Sequence, residues 1–585
     1  PFRHAATKAI CMSTDSNKTP SVLVGRVLTV DASDTEAQAV AFKGGRVAAV
    51  GDRSIATSGE SAGHEVLDFG ERPVLPGFID PHAHVEVGCR ARSMMVDCRA
   101  PRCAGISDVL DALRDSLDRA DESGWLVGQA NLFLDQKLTD GRMPTRHDLD
   151  KVSRKVPIAL RAGGHLSVLN SRAFELSPQV LDYVGRAGMT GGAVVELDSA
   201  GEPTGVIAEL DNALDLPEPN RDELQTAIEE GTRELFTAYG VTSIGEISET
   251  LDGLHSMDAL LRAGTLSTRM SIYLWAPGTL SIKEACRWER HLEIFSDRDW
   301  FDVRGLKLFA DGGYSARNAA TRGTYLRKHA LRPGSRGKVN LNRRQIALAL
   351  GRAREAGLQL AVHANGERAQ AVVCAGIEAQ GPTNGDLPVR LEHAGNLVTS
   401  SETTDAWRRA GIIPVPQATF LYNFGGFLPV YLGEHGSHGR FPFRSLTADG
   451  WQLPLSSDIT LGAEERQTNP LFGIWCAMER RSFKGDLVEP HEAVGFDEAL
   501  RMYTINGAAA LGVEADRGSL EPGKLGDAVV LERDPRSVPA SELPDIKVDY
   551  VFVGGELAYR RDGARPPATH QDHEEERSDG NTTPR

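Results

Sequence analysis

Two histidines, His82 and His84, stand two positions apart just after a short apolar run, within the segment 76–88. The apolar run, residues 74–80, is predicted to form a buried strand that Pro81 closes. Because side chains at i and i+2 leave a strand on the same face, both imidazoles can converge on one metal ion. The pair is a weak signal by itself, since two histidines at a strand end are more often polar loop residues. Further ligands must therefore follow downstream.

Four more polar residues close strand-like apolar runs later in the chain, namely Lys307, His363, His393 and Asp458. Each is followed by a turn signal and then by a helix-like segment. The separation of His363 and His393 fits one strand–helix–strand unit, and that of His393 and Asp458 leaves room for two. This repetition indicates a fold built from repeated strand–helix units, with a polar residue at the end of the strand in several of them.

Three other apolar segments, residues 240–245, 269–275 and 411–416, supply the strands that this spacing requires. Counting them gives eight strands, with polar candidates on the first, fourth, fifth, sixth and eighth. The sequence therefore predicts an α/β fold, a TIM-like (β/α)8 barrel, with its site at the C-terminal mouth.

These residues carry a family resemblance. The ordered set of His-x-His, Lys, His, His and Asp resembles the amidohydrolase superfamily. The segments LysLeuPheAlaAspGly, HisAlaAsnGlyGluArgAla, ArgLeuGluHisAla, SerSerAsp and GlySerLeuGluProGlyLysLeuGlyAspAlaValValLeu look like the branch that includes N-substituted formamide deformylases. The resemblance spans residues 22 to 562. The strand-eight motif departs from the pattern, because Ser456 stands where a glycine before Ser-Asp is common.

The resemblance implies a centre of one or two divalent ions, most simply zinc, which takes imidazole nitrogen and carboxylate oxygen at about 2.0–2.2 Å. It implies that Lys307 carries carbon dioxide as a bridging carbamate, since an unmodified ammonium repels a cation. The first ion would then be held by His82, His84, Asp458 and Lys307, and the second by Lys307, His363 and His393. The alternative is an unmodified Lys307 paired with Asp311, which leaves a one-metal site.

The same resemblance gives Asp458 a catalytic role, as the group that takes a proton from the attacking hydroxide and delivers it to the departing nitrogen. Three further residues are candidates for substrate contact. Tyr314 and Arg317 lie just beyond Lys307, and His165 follows a short strand of the long segment after His84. For each of the three, ordinary packing or loop structure is the competing interpretation.

The chain is predicted to contain a barrel with a large insert, a small β-sandwich built from both ends, and two tails. The connection after residue 89 is too long for a barrel loop and should fold as a lid subdomain over the mouth. Met12 could be the natural start, so residues 1–11 are read as upstream-derived sequence. The predicted boundaries are a disordered tail (1–20), β-sandwich parts (21–75 and 509–562), the barrel (76–508) with its insert (about 89–220), and a second disordered tail (563–585).

Composition is consistent with an enzyme that acts on small molecules. A formal net charge of −16 argues against nucleic acid or an anionic membrane as a partner, because both require a basic surface. No apolar run reaches the length of a membrane helix. Seven scattered cysteines do not form a disulfide framework, so a cytoplasmic location is expected. A homodimer is compatible with the sequence, which does not fix the number of subunits.

The predicted function is metal-dependent hydrolysis of the C–N bond of a linear amide, such as an N-substituted formamide or an N-acyl amine. Four aromatic residues near the predicted mouth favour a hydrophobic N-substituent: Phe309, Tyr314, Phe420 and Tyr422. One alternative is hydrolysis of a cyclic amide, carbamate or ester by the same centre. The other is a barrel without catalysis that serves in binding or assembly.

Overall fold

The computed structural model describes residues 21–120, 124–184, 193–210, 213–326, 334–381 and 387–568. The predicted tail 1–20 and most of the predicted tail 563–585 lie outside these ranges. Residues 563–568 are described, and here the boundary needs correction. Ala568 forms a backbone bridge with Asp68, and the Arg72 guanidinium donates to the carbonyl oxygens of Arg565 and Pro566. These hydrogen bonds fix the segment against residues 68–72.

The described residues form twenty strands in three sheets. In chain order they are β1 (Ser21–Leu28), β2 (Glu36–Lys43), β3 (Arg46–Gly51), β4 (Glu65–Pro76), β5 (Phe78–Ala83), β6 (Val96–Asp97), β7 (Leu126–Ala130), β8 (Ile158–Ala162), β9 (Leu166–Leu169), β10 (Val194–Leu197), β11 (Pro203–Ala208), β12 (Val241–Ser248), β13 (Arg269–Trp275), β14 (Phe301–Phe309), β15 (Gln359–His363), β16 (Arg390–Glu392), β17 (Ile413–Val415), β18 (Ala528–Leu531), β19 (Val548–Val553) and β20 (Glu556–Arg560).

The α-helices of the described residues are α1 (Ser54–Ser61), α2 (Val85–Met94), α3 (Ile106–Arg114), α4 (Leu134–Lys137), α5 (Arg146–Leu149), α6 (Ser171–Leu176), α7 (Arg221–Leu235), α8 (Leu251–Ala263), α9 (Ile282–Ala285), α10 (Arg343–Glu355), α11 (Glu367–Gln380), α12 (Ser401–Ala410), α13 (Ala418–Phe420), α14 (Leu428–Leu432), α15 (Phe443–Ala448), α16 (Pro470–Glu479), α17 (Phe496–Met502) and α18 (Ile505–Leu511). A π-helical turn, Leu421–Gly425, lies between α13 and α14. Within the described ranges, no helix has both the length and the apolar character that crossing a membrane requires.

Local sequence explains where the long outer helices begin. The side chain of Asn342 accepts from the Gln345 amide ahead of α10, and the Gln345 side chain accepts from the Asn342 amide in return. Asn220 and Glu223 make the same reciprocal pair ahead of α7. Such capping satisfies backbone donors that would otherwise lack a partner at a helix start. The capping pairs therefore define the residue at which each loop ends and each helix begins.

The barrel sheet contains seven parallel strands in the order β17-β16-β15-β14-β13-β12-β5. The run predicted as its first strand is divided at Gly77, whose amide donates to the Asp527 carbonyl oxygen. Residues before Gly77 belong to β4 in the terminal sheet, and residues after it form β5, which continues past Pro81 to Ala83. A β-carbon at Gly77 would lie 2.1 Å from the Thr242 hydroxyl oxygen, so glycine permits this close approach.

The eighth position of the barrel is held by an extended segment that ends at Asp458, not by the regular strand that the sequence predicts. The Asp458 amide donates to the His82 carbonyl oxygen at 2.8 Å, which joins the segment to β5. The preceding amide, that of Ser457, donates instead to the Asp80 side chain at 3.0 Å. A carboxylate replaces a backbone acceptor here, so the hydrogen-bond ladder between this segment and β5 is irregular. The barrel is nearly closed all the same.

Both ends of the chain contribute to the terminal sheet, whose strand order is β20-β19-β18-β4-β1-β2-β3. Strand β4 is its junction, since it pairs in parallel with β1 and antiparallel with β18. The strands form one continuous hydrogen-bonded sheet. The arrangement as a two-layered sandwich therefore stays a prediction.

The segment between α2 and α7 folds around a separate six-stranded sheet, with the strand order β10-β11-β9-β8-β7-β6. Helices α3 and α5 contribute to the buried apolar cluster on this sheet. We refer to residues 95–220, without the undescribed positions, as the insert. Its first predicted residues, 89–94, instead belong to α2, which packs against α7 beside the barrel.

Candidate metal centre and active site

The structure brings the six predicted metal ligands together at the carboxyl ends of the barrel strands. Each is buried, with at most 8% of its surface exposed. His82 lies in β5, Lys307 in β14 and His363 at the end of β15. His84 and His393 directly follow β5 and β16, and Asp458 ends the segment at the eighth position. Ligand atoms of His82, His393 and Asp458 all lie within 4.8 Å of one another.

His82 is held from the side away from this cluster. Its Nδ1 lies 2.5 Å from Oε2 of Glu392, which leaves Nε2 directed at Lys307 Nζ (3.3 Å) and Asp458 Oδ1 (3.4 Å). Burial, together with the charge of Lys307, holds the pKa of His82 well below its usual range. The ring is therefore kept neutral, which is the form that binds a metal.

His84 has an equivalent support. Its Nδ1 lies 2.6 Å from Oε1 of Glu249, and its Nε2 lies 3.4 Å from Asp458 Oδ1. Burial would lower the pKa of His84, but hydrogen bonds with Asp458 and Glu249 outweigh it and raise the pKa to about 9. With two carboxylates beside it, this ring holds a proton unless a cation takes that place.

His363 and His393 face each other across the same centre, with Nδ1 of His363 2.9 Å from Nε2 of His393. The other nitrogen of His393 lies 2.9 Å from Gln417 Oε1, and that of His363 lies 3.1 Å from Asn365 Nδ2. Burial lowers the pKa of both rings, so both are neutral near pH 7. Two neutral imidazole nitrogens at this separation can share one cation.

Asp458 lies at the middle of the centre in a left-handed backbone conformation, with a φ of 46°. Burial alone would raise the pKa of its carboxyl group, yet His82 and His84 hold the pKa below its usual range. The side chain is therefore an anion at neutral pH. The left-handed turn costs on the order of 1–3 kcal/mol and is typical of functional sites.

Lys307 is fully buried, and burial lowers its pKa to about 8. Its ammonium lies 4.6 Å from the centre of the Phe309 ring. The alternative partner, Asp311, is engaged elsewhere, because its oxygens accept from the backbone amides of Ala320, Asn365 and Gly366 at 2.8–2.9 Å. The geometry thus favours Lys307 as a member of the metal cluster over a Lys307–Asp311 pair.

The donor set fits a divalent metal centre. For three of the histidines, a carboxylate or an amide oxygen lies at Nδ1, which is how metal-binding imidazoles are usually oriented. Nitrogen and carboxylate donors in this proportion suit zinc and similar ions. The supporting residues Glu392, Glu249 and Gln417 were missed by sequence reasoning, although Glu392 directly precedes a predicted ligand.

A cavity of about 560 Å³ opens above the centre and has walls from both the barrel and the insert. Aromatic side chains of Phe309, Phe420 and Phe424 line it, whereas Tyr422 does not and packs against Phe472 and Trp475 instead. The reason is the π-helical turn, which directs Tyr422 away from the cavity that Phe420 and Phe424 face.

Two of the three predicted substrate contacts reach this cavity. His165 and Tyr314 line it, and the Tyr314 hydroxyl donates to the Asn365 carbonyl oxygen at 2.7 Å. Arg317 needs correction: among the described residues it lies outside the cavity wall, with its guanidinium over the Tyr431 ring and 3.7 Å from Asp135. Its left-handed backbone, with a φ of 54°, reverses the chain at this point.

Fold and site together define a β/α-barrel protein with a buried histidine–carboxylate cluster of the kind that holds metal ions. The chain belongs to the amidohydrolase family, whose model matches residues 65–559. It is 30% identical over 563 residues to an N-substituted formamide deformylase of Arthrobacter pascens, covering 93% of this chain and 98% of the relative. It is 26% identical over 569 residues to the protein LONG AFTER FAR-RED 3 of Arabidopsis thaliana, covering 92% and 90%.

A solved structure with a similar fold is that of an uncharacterized metal-dependent hydrolase from Pyrococcus furiosus. The two chains superpose with a TM-score of 0.66 at 24% identity, covering 88% of this chain and 99% of the other. At this identity the likeness concerns the fold alone.

Proposed function

We propose that this protein is a hydrolase that uses a divalent metal centre to cleave the C–N bond of a linear amide, with N-substituted formamides and other N-acyl amines as the first candidates. The observation that carries the proposal is the convergence of His82, His393 and Asp458 at the base of an aromatic cavity. The relationship to a formamide deformylase over nearly the whole chain supports the choice of bond.

The centre is proposed to hold one or two zinc ions. His82, His84 and Asp458 would hold one ion, His363 and His393 the other, and Lys307 would bridge them. When bound, such ions lower the pKa of water to about 7 and polarise a carbonyl group. The support is the neutral state of the His82, His363 and His393 rings and the charge of Asp458.

Carbamylation of Lys307 belongs to this proposal. The neutral amine adds to carbon dioxide, a new N–C bond forms, and one proton is released, so that an anion replaces the ammonium. A pKa of about 8 leaves a useful fraction of neutral amine near neutral pH. In the presence of a cation, the anionic form removes the repulsion that an ammonium would cause.

Asp458 is the proposed catalytic acid and base. Its carboxylate accepts a proton from the attacking water and delivers it to the nitrogen as the C–N bond breaks. The apolar walls around Phe309 and Phe420 would receive the amine substituent, and His165 and Tyr314 are proposed contacts for the acyl side.

The test is amine release from a panel of N-benzyl and N-aryl amides with increasing acyl length, measured on zinc-loaded protein. Fastest turnover of a formamide or another short linear amide is expected, with little on peptides or phosphotriesters. Faster hydrolysis of a cyclic ureide, a carbamate or an ester would favour the alternative substrate class. Absence of turnover with full metal occupancy would favour a role in binding or assembly.

We also propose that the protein acts in the cytoplasm, since its cysteines are scattered and those in the described ranges are free thiols. Homodimer formation is proposed as well, and sedimentation of the purified protein would test it.

A further inference from the structure

The insert places one ionisable pair, His165 and Glu209, in the wall of the metal cavity. His165 lies between β8 and β9, and Glu209 directly follows β11. The Nδ1 atom of His165 lies 2.9 Å from Oε2 of Glu209, and the Glu209 amide donates to the His165 carbonyl oxygen at 3.0 Å. The two residues thus fix each other through side chain and backbone.

Glu209 is held in an unusual conformation to make this contact. It has a φ of 54°, a left-handed value that is rare for a residue other than glycine. Its second carboxylate oxygen accepts from Asn318 Nδ2 at 3.3 Å, so the barrel side also fixes the group. Backbone strain at a ligand-facing residue is typical of a position whose orientation matters for function.

The barrel makes room for the pair with two successive glycines that follow the Lys307 strand. A β-carbon at Gly312 would lie 2.3 Å from Oε1 of Glu209, and one at Gly313 would lie 2.8 Å from Cδ2 of His165. A side chain at either position would force the Glu209 carboxylate or the His165 ring to shift, so the two glycines permit the insert pair to lie against the barrel in this arrangement. The His165 ring then lies 5.8 Å, centre to centre, from the His363 ring.

We propose that His165, oriented by Glu209, is a catalytic residue that the insert supplies: its Nε2–H donates a hydrogen bond to the carbonyl oxygen of the amide as negative charge develops there. This rests on the proposed function and deepens it. Nδ1 lies against Glu209, so Nε2 is the proposed donor to the substrate. Donors placed where charge develops are among the largest contributions to catalysis.

Glu209 is a positioning residue in this scheme, because it acts on substrate through His165. A purely structural role for the pair, as a clamp between insert and barrel, would predict a different outcome on mutation. Loss of a clamp lowers stability and affects all ligands alike. Loss of a donor to the carbonyl oxygen instead selectively weakens binding of a tetrahedral anion and lowers kcat more than it raises KM.

The experiment compares His165→Ala, His165→Gln and Glu209→Gln with wild type. The matched control is His147→Ala, which removes an exposed histidine of the same insert. Three quantities are measured on zinc-loaded protein: kcat and KM for the best amide of the panel, and the dissociation constant of an N-benzyl phosphonamidate, which is tetrahedral and anionic at phosphorus. Thermal stability and metal content are recorded for each variant.

His165→Ala is expected to lower kcat and phosphonamidate affinity by about 10²–10³ with metal content unchanged. His165→Gln should retain part of the affinity, Glu209→Gln should lose about tenfold, and His147→Ala should equal wild type. The inference would be overturned if wild type hydrolyses the amide and His165→Ala binds the phosphonamidate as tightly as wild type does. Absence of amide turnover by wild type, together with phosphonamidate binding that depends on His165, would overturn the proposed substrate and leave the donor role supported.

Discussion

The Glu392 carboxylate lies 2.5 Å from Nδ1 of His82, although the two residues are 310 positions apart in the sequence. The same carboxylate accepts from Arg390 at 2.8 and 3.1 Å, and Arg390 also donates to the Pro81 carbonyl oxygen at 2.7 Å. A buried ion pair on β16 thus sets the orientation of the first residue of the His-x-His pair. This relationship connects the metal centre to the interior of the barrel.

Replacement Glu392→Gln should therefore weaken metal binding. Loss of a supporting carboxylate commonly costs 10–100-fold in metal affinity, and we expect a loss in that range. The measurement is zinc affinity by competition with a chromogenic chelator. The control is Glu402→Gln, since Glu402 is exposed and pairs only at the surface with Arg322. Equal zinc affinities in Glu392→Gln and wild type would show that His82 needs no such support.

Replacement Asp458→Asn should keep the fold and remove most turnover. A positioned acid–base group contributes about 10²–10⁴-fold, so kcat on the best amide should fall by that factor. Circular dichroism and metal analysis would check that the protein is otherwise intact. Asp449→Asn, at an exposed aspartate paired with Arg408, is the matched control. An unchanged rate would assign the proton transfer to another residue.

Treatment with a strong chelator should remove one to two equivalents of a divalent ion and all activity. The expectation follows from the shared centre, because His82, His393 and Asp458 face one another within 4.8 Å. Inductively coupled plasma mass spectrometry before and after dialysis gives the metal content. Zinc should restore turnover, whereas calcium, which prefers six to eight oxygen ligands, should not. Full activity of metal-free protein would contradict the metal centre.

Carbamylation of Lys307 should depend on pH in a defined direction. Burial lowers the pKa of Lys307 to about 8, so the reactive neutral amine is about half of the total at pH 8 and about 1% at pH 6. We expect a ¹³C carbamate carbon signal to form much faster at pH 8 when zinc is present and labelled bicarbonate is adjusted to give the same concentration of dissolved carbon dioxide at both pH values. Lys307→Met should lack the signal, and Lys151→Met, at an exposed lysine, should retain it. A wild-type signal that is independent of Lys307 would exclude this residue as the site.

Replacement Asp527→Asn should destabilise the protein by about 3–5 kcal/mol, because it leaves the buried Arg269 without its counter-charge. Asp527 accepts from Arg269 through both oxygens at 2.8 Å and joins the terminal sheet to β13. The measurement is urea denaturation at pH 7. Glu542→Gln, in an exposed pair with Arg533, should change the free energy of unfolding by less than about 1 kcal/mol.

The same pair has a predictable dependence on pH. Burial would raise the pKa of Asp527, but the charge and hydrogen bonds of Arg269 outweigh it, so the folded-state pKa is depressed. The stabilisation is therefore complete above the unfolded value of about 3.9 and is lost as the pH falls through the lower folded value. Wild type is expected to lose more stability than Asp527→Asn between pH 5 and pH 3, and an equal loss in both proteins would contradict the depressed pKa of Asp527.

The metal ligands could be predicted from sequence because their residue types and spacing reflect the repeat of the barrel. Strand β13 has the same bounds in the sequence prediction and in the structure. The supporting residues Glu249, Glu392 and Gln417 could not be predicted, since their partners come from other strands and depend on the closure of the sheet. Glutamate on a strand gives no sign by itself of which histidine it will contact.

Irregular backbone explains the remaining differences. The segment before Asp458 reads as a strand, but the Asp80 side chain takes the place of a backbone acceptor and interrupts the ladder. Arg317 and Tyr422 have residue types that suit a substrate pocket, yet a left-handed turn and a π-helical turn direct them elsewhere. Neither conformation has a sequence signature as clear as hydrophobic periodicity.

The position of β4 between β1 and β18 has a consequence for synthesis on the ribosome. The residues at the end of β4, Val74 to Pro76, pair antiparallel with β18. That partner emerges only after the entire barrel has been translated. Until then, the edge of β4 directly ahead of His82 has unpaired backbone hydrogen-bonding groups. A nascent chain that stalls late in translation therefore exposes a strand to which chaperones or other chains can bind. Strand β18, which is translated after the barrel, thus covers the strand that leads into the segment with His82.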